Sequence, residues 1–260
     1  IVLGLLFIGN ANAGTYKDRK YTFKNKSDLG SVIKKNDPTD FKELKFIRKS
    51  EGKEFLSTSG APNRENLSGK RKTYLYDAYV FHAIYNSGHV INIYVDTDYA
   101  KNSEKAEKLA LTYAKTIGQI PLFLREESPA LFEVLRQKSS GIKKIIIAKG
   151  NNRWWADPIL NQFFVYPQSR GAKTDLIVMH EASHLSIDTK LVLDDVWIQA
   201  IIDDQMNITK YAIQSFGEDV AETISFWVAV RCTDRKGLKK KIIKAIPNRI
   251  KALDQFIKEN

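Results

Sequence analysis

A chain of 260 residues is long enough to bury a sizeable core and suits one large domain or a catalytic domain with a small companion. Its 43% hydrophobic and 27% charged residues exclude wholesale disorder. A single cysteine, Cys232, excludes any internal disulfide, so the fold must stand on its core or on a metal; Cys232 itself reads as a buried thiol.

Residues 1–8, "IVLGLLFI", are almost wholly apolar and are followed by "ANA" at 11–13. This pattern predicts the remainder of a signal peptide, residues 1–13, cut before Gly14, and hence a secreted, extracellular protein. The alternative is a buried N-terminal strand or a membrane anchor. No other hydrophobic run approaches the roughly 20 residues of a membrane span, so none is expected after signal cleavage. Residues 14–72 are polar and rich in lysine, and read as an N-terminal extension ending in the exposed loop "STSGAPNRENLSGKRK". Sequons at Asn25, Asn66 and Asn207 would be glycosylation sites in a eukaryotic host.

From residue 73 the texture changes. "TYLYDAYVFHAIY" and "HVINIYVDTDY", joined by "NSG", predict a β-hairpin. Ser103 then opens a helix with Ala106, Leu109, Ala110, Tyr113 and Ile117 on one face and Gly118 as its stop. "KKIIIAKG" and "QFFVYP" read as short buried strands. The second of these, within "NQFFVYPQS", is a candidate edge strand for pairing with an extended peptide. Arg153, Trp154 and Trp155 of "RWWADP" are candidates for walling a cleft. From 174 onward the pattern is mainly helical, which makes the whole an α+β arrangement. The catalytic domain is expected over 73–232, with a small mixed sheet, an active-site helix and a helical C-terminal part. Residues 233–260 form a basic helical tail: 235–260 hold nine Lys/Arg against Asp254 and Glu259. Such a tail is either a solvated helix face or a binding surface for acidic polysaccharide, nucleic acid or anionic membrane.

The stretch "DLIVMHEASHLSID", 175–188, carries two of the chain's four histidines. His180 and His184 are four apart, which on a helix sets both imidazoles on one face within reach of a single ion. Glu181 lies one position round and can face a water on that ion without being a ligand. Leu176, Ile177, Val178 and Met179 make the preceding turn apolar all round, so the helix is buried and its titratable groups need strong partners. A pair of satisfied core histidines fits this setting poorly.

A catalytic zinc site needs a third protein ligand. The long signature HExxHxxGxxH is absent, because Ile187 and Lys190 stand where it needs Gly and His. His82 and His89 fall in the hairpin and read as ordinary strand residues. Downstream, "YAIQSFGEDVAETISFWVAV" offers Glu218 and Glu222 on a second apolar helix. Carboxylates at i and i+4 repel each other by a few tenths of a kcal/mol even in water, and burial makes this worse. A divalent cation and a histidine N–H would relieve both. Glu218 has a competing role as the last member of a capping box with Ser215, which would tie its carboxylate to backbone amides and leave Glu222 stranded.

Over about residues 174–230 the sequence resembles the gluzincin metallopeptidases, in which HExxH on one helix is completed by a glutamate on a later one. It is similar in particular to the lethal-factor-like branch: Tyr211 lies seven residues before Glu218, and Glu222 four after it. The resemblance implies a zincin-like catalytic domain and a zinc-dependent hydrolase acting on a peptide or protein. His180, His184 and Glu218 would be the Zn2+ ligands, Glu181 the general base, Tyr211 an oxyanion donor, and Glu222 an acceptor behind a ligand histidine. Two other functions compete with a general secreted peptidase. One is a secreted basic binding protein for acidic polymers with a vestigial metal site; the other is a toxin or effector protease with one protein target.

Overall fold

The computed structural model describes residues 19–34, 36–58, 72–126, 141–150, 154–158, 161–168 and 173–259. In chain order the principal elements are β1 (Tyr21–Phe23), a 3-10 turn (Lys26–Leu29), β2 (Phe41–Thr58), β3 (Lys72–Tyr85), β4 (Val90–Asp96), α1 (Ser103–Gln119), β5 (Lys144–Ile147), β6 (Trp155–Asp157) and β7 (Gln162–Val165). They continue as α2 (Thr174–Ser186), α3 (Asp188–Leu191), α4 (Asp195–Asp204), β8 (Asn207–Thr209), α5 (Phe216–Cys232), α6 (Lys236–Ala245) and α7 (Pro247–Glu259). The content is mixed helix and strand, as expected. No helix among the described residues is long and apolar enough to cross a membrane. Residues 1–13, expected to be a signal peptide, lie outside the described residues, as do Asn66 and Arg153.

The chain divides into two compact units at boundaries other than those expected. Residues 33–171 form a sheet unit, and residues 1–32 with 172–260 form a helical unit. The expected N-terminal extension, 14–72, is thus shared between the two. The sheet and the HExxH helix, expected in one domain over 73–232, belong to different units.

The sheet unit is built on six strands in the order β2-β3-β4-β5-β7-β6. The predicted hairpin is there: β3 and β4 pair antiparallel with Phe81 opposite Ile93, and Gly88 supplies φ 90° in the turn. Parallel pairing then carries β4 to β5 and β5 to β7, and β6 closes antiparallel on β7. Ile145, Ile146, Ile147, Phe163, Phe164 and Val165 are all sealed from solvent, which explains their unbroken apolar run. Because β7 is hydrogen-bonded on both sides, it is not the edge strand proposed for peptide pairing. Trp154 is buried with its indole N–H on Tyr166 O, and Trp155 stacks on Phe164 at 4.0 Å, so both serve packing.

The strand β2 was hidden in the polar extension. It pairs with β3 at the sheet edge through three register shifts, and most of its residues from Phe41 to Glu51 are exposed. An edge strand rich in lysine has no apolar alternation to announce it. The helix α1 packs on β2, β3 and β4 through Ala106, Ala110, Tyr113, Ala114 and Ile117. Gly118 is not its stop. A Cβ there would lie 2.6 Å from Phe41 N, so the glycine permits close approach to β2, and the helix ends one residue later ahead of Pro121.

In the helical unit α2 and α5 pack together, with α3, α6, α7 and β8 against α5 and α4 against α7. Ser225 Oγ donates to Leu176 O at 3.5 Å between the two central helices. The expected basic tail is partly core. Arg249 is fully buried and ion-paired with Asp204 at 2.9 Å and with Asp219 in α5. Ile242 of α6 and Ile250 and Leu253 of α7 are also buried, and Cys232 is exposed rather than buried. Asn207 is wholly inaccessible, so its sequon cannot be glycosylated in the folded chain.

Candidate metal centre

All the residues singled out for chemistry lie in the helical unit. The helix α2 is buried over most of its surface, in keeping with its apolar lead-in, with His180 2% and Glu181 5% exposed. Its first turn is fixed from outside: Val32 N donates to Asp175 Oδ2 at 2.7 Å. Ser215 caps α5 by accepting from Glu218 N at 3.1 Å. Glu218 uses its backbone for the cap while its carboxylate faces the histidines, so only half of the competing capping box forms.

One turn apart on α2, His180 and His184 face Glu218 from α5. One ligand atom from each of the three lies within 4.8 Å of the other two. Glu218 Oε2 is 3.1 Å from His180 Nε2 and 3.6 Å from His184 Nε2, yet is buried without any hydrogen bond. The opposite ring nitrogens face carboxylates. His184 Nδ1 is 2.7 Å from Asp188 Oδ2, and His180 Nδ1 is 3.1 Å from Glu222 Oε1, a contact whose angle falls short of a hydrogen bond. A carboxylate at Nδ1 favours the proton there, which turns each Nε2 lone pair toward Glu218.

Three acceptors then converge on one point, an arrangement that a cation relieves. Ligand atoms held about 2.0–2.1 Å from a tetrahedral ion stand about 3.3 Å apart, and 3.1 and 3.6 Å bracket that edge. His180, His184 and Glu218 could therefore hold a metal ion.

Without an ion, a proton takes the cation's place in this cluster. Burial works against the charge on His184, but the hydrogen bond to Asp188 and the nearby carboxylates of Glu218 and Glu181 outweigh it and raise its pKa to about 10. Burial also opposes ionisation of Glu218, and the two histidines more than reverse this, holding its carboxyl well below the usual range. Glu222 behaves likewise: burial is overcome by the Lys26 charge and by His180, and its pKa falls to about 2. In the absence of an ion such a cluster binds a proton, so proton and metal compete for it.

Tyr211 donates its hydroxyl to Glu218 Oε1 at 2.9 Å, and its ring lies 5.8 Å from that of His180. The tyrosine expected at an oxyanion thus holds the second oxygen of the Glu218 carboxylate. Glu222 stands behind His180, its Oε1 3.1 Å from Nδ1. His82 and His89 belong to the sheet unit, and His89 Nε2 is engaged with Ile142 O at 2.9 Å.

Three contributors were not anticipated. Asp188 had a usable signal, standing four residues beyond His184 on the continuing helical turn. A Cβ on Gly217 would come within 3.2 Å of Asp188 Oδ2, so the first turn of α5 approaches this carboxylate closely. Lys26 and Thr209, which bind the two oxygens of Glu222 at 2.8 Å each, had none. Compared with protein-family models, with curated proteins and with solved structures, the chain matches none.

Proposed function

We propose that this protein is a secreted zinc metallopeptidase of the gluzincin kind, with a zincin-like helical core, that hydrolyses peptide bonds. The observation that carries the reading is Glu218 Oε2, a buried acceptor with no hydrogen bond, aimed between two imidazole nitrogens whose far sides rest on carboxylates. Two neutral nitrogens and one carboxylate suit Zn2+ and leave a fourth position for water. When bound, zinc supplies a Lewis acid that brings the pKa of water toward neutrality and polarises a carbonyl.

The remaining work falls to the chain's own side chains. Glu181, buried one position round α2 from His180, accepts the proton of the attacking water and returns it to the leaving amine. Tyr211, released from Glu218 Oε1, has a hydroxyl within the site to donate to the oxygen that gains charge. Glu222 and Asp188 hold His180 and His184 in the orientation and tautomer a ligand needs. Retention of Glu181 together with three converging ligands favours an enzyme over a basic binding protein with a vestigial site. Secretion is supported by the apolar run at 1–8 and the "ANA" that follows.

The test is metal content with peptide hydrolysis. The purified protein should retain about one zinc per chain and cleave members of a peptide library until a chelator is added. Glu181→Gln should keep zinc and lose about 10²–10⁴-fold in rate, whereas Glu218→Ala should lose the metal. A parent protein that takes up no zinc would end this reading, and one that holds zinc but cleaves no peptide would end the peptidase assignment.

A further inference from the structure

The back of the metal centre is built from a part of the chain that its sequence sets apart. Residues 20–32 belong to the helical unit and are anchored at both ends. β1 pairs parallel with β8, Tyr21 opposite Asn207 and Phe23 opposite Thr209. Phe23 packs on Phe226 of α5 at 4.8 Å between ring centroids, and Val32 N is bonded to Asp175 at the start of α2. Between these anchors the 3-10 turn delivers Lys26 Nζ to Glu222 Oε1 at 2.8 Å, the same oxygen that faces His180 Nδ1. Thr209 Oγ1 donates to Oε2 of the same carboxylate at 2.8 Å. The Lys26 ammonium also lies 6.0 Å from the ring centroid of Tyr211.

Glu222 is 1% exposed, so it depends on protein groups in place of water. Thr209 belongs to the strand that β1 pairs with, and the ammonium that faces this carboxylate is that of Lys26. We infer that Lys26 is a positioning residue of the metal centre: by holding Glu222 against His180 Nδ1 it sets the ring so that Nε2 stays on the ligand point, which makes the N-terminal segment 20–32 a working part of the site. The inference rests on the metal-binding reading above and adds to it a contributor 196 residues from Glu222 in sequence. A buried carboxylate deprived of its cation turns away or loses its charge, and either frees the imidazole behind the metal.

The experiment measures metal affinity in the full chain, with activity playing no part. Parent, Lys26→Met, Lys26→Arg, Glu222→Gln and the Lys26→Met/Glu222→Gln pair are first matched by far-UV circular dichroism in metal-free buffer. Zinc is then titrated in competition with a chromogenic chelator, and Co2+ is added separately to read the coordination geometry from its visible absorption. Lys26→Met should bind zinc about 10–100-fold more weakly than the parent and alter the Co2+ spectrum, the loss typical of removing a group behind a ligand. Lys26→Arg should restore both readouts. Glu222→Gln tests the same link without disturbing the N-terminal segment, and the double variant should be no worse than the poorer single one, because both act through one contact. Parent-like zinc affinity in Lys26→Met, or a double variant showing the full sum of both losses, overturns the role given to Lys26 while leaving the metal centre standing. A parent that binds neither Zn2+ nor Co2+ overturns the metal reading itself.

Discussion

Of the sixteen polar or charged residues buried among those described, twelve lie in the helical unit and four in the sheet unit. In the sheet unit they are scattered over separate elements, and the buried cation among them, Arg125, pairs with Asp40 and Glu126 and lies 4.7 Å over the Tyr85 ring. In the helical unit they include His180, Glu181 and Glu222, and they gather where α2 meets α5. Burying a charge costs several kcal/mol unless it is paired. A region that carries that cost repeatedly, and leaves an acceptor facing two imidazoles, could hold a cation, while one that largely avoids it contributes stability.

The largest effect that separates the two regions is expected from the buried ion cluster of α7. Arg249→Met leaves Asp204 and Asp219 without their common cation and should cost roughly 3–5 kcal/mol in urea unfolding. Zinc affinity should fall with it, because Asp219 adjoins Glu218 on the first turn of α5. A comparable loss from the sheet unit should behave differently. Phe163→Ala opens a cavity in sealed strand β7 at a cost of about 3–5 kcal/mol, yet should leave zinc stoichiometry unchanged, since every candidate ligand belongs to the helical unit. If Phe163→Ala abolished zinc binding under folded conditions, the contrast between the units would fail.

A smaller effect probes the centre alone. Asp188→Asn keeps the shape beside His184 Nδ1 but loses the charge, and should weaken zinc binding about 10–100-fold with little change in the unfolding midpoint. The smallest is a pH effect. With its folded pKa raised to about 10, His184 contributes stability to the metal-free protein that is complete below its ordinary value and lost as pH rises through about 10. At neutral pH that proton must leave for the metal to enter. Zinc titrations in buffers of different ionisation enthalpy should therefore show proton release, and affinity should rise with pH across the neutral range. Binding enthalpies independent of buffer would contradict the protonated state of His184.

Much of the site could be read from local spacing. His180 and His184 one turn apart, and Glu218 and Glu222 one turn apart on a second apolar helix, express the helical period directly, and α2 and α5 stand where that period put them. The hairpin β3–β4, the helix α1 and the strands β5 and β7 were legible for the same reason, through alternation or a compact apolar run. The edge strand β2 was not, because most of its described side chains face solvent and carry no alternation. The C-terminal lysines looked like one solvated or polymer-binding face, yet Arg249 among them is the most buried cation of its unit. Charge composition counts such a residue but does not say where it points.

What the sequence by itself determined is the chemistry on each helix: which residues share a face, and that the apolar turns around them must bury them. Only the tertiary structure decided that Glu218's carboxylate faces the two histidines and not the cap, that Asp188 and Glu222 each stand behind a different histidine, and that Lys26 reaches Glu222 from the far end of the chain. The physical reason is that backbone periodicity acts over three or four residues and leaves a pattern in the sequence. A contact between residues 26 and 222 is made by chain folding alone and leaves none.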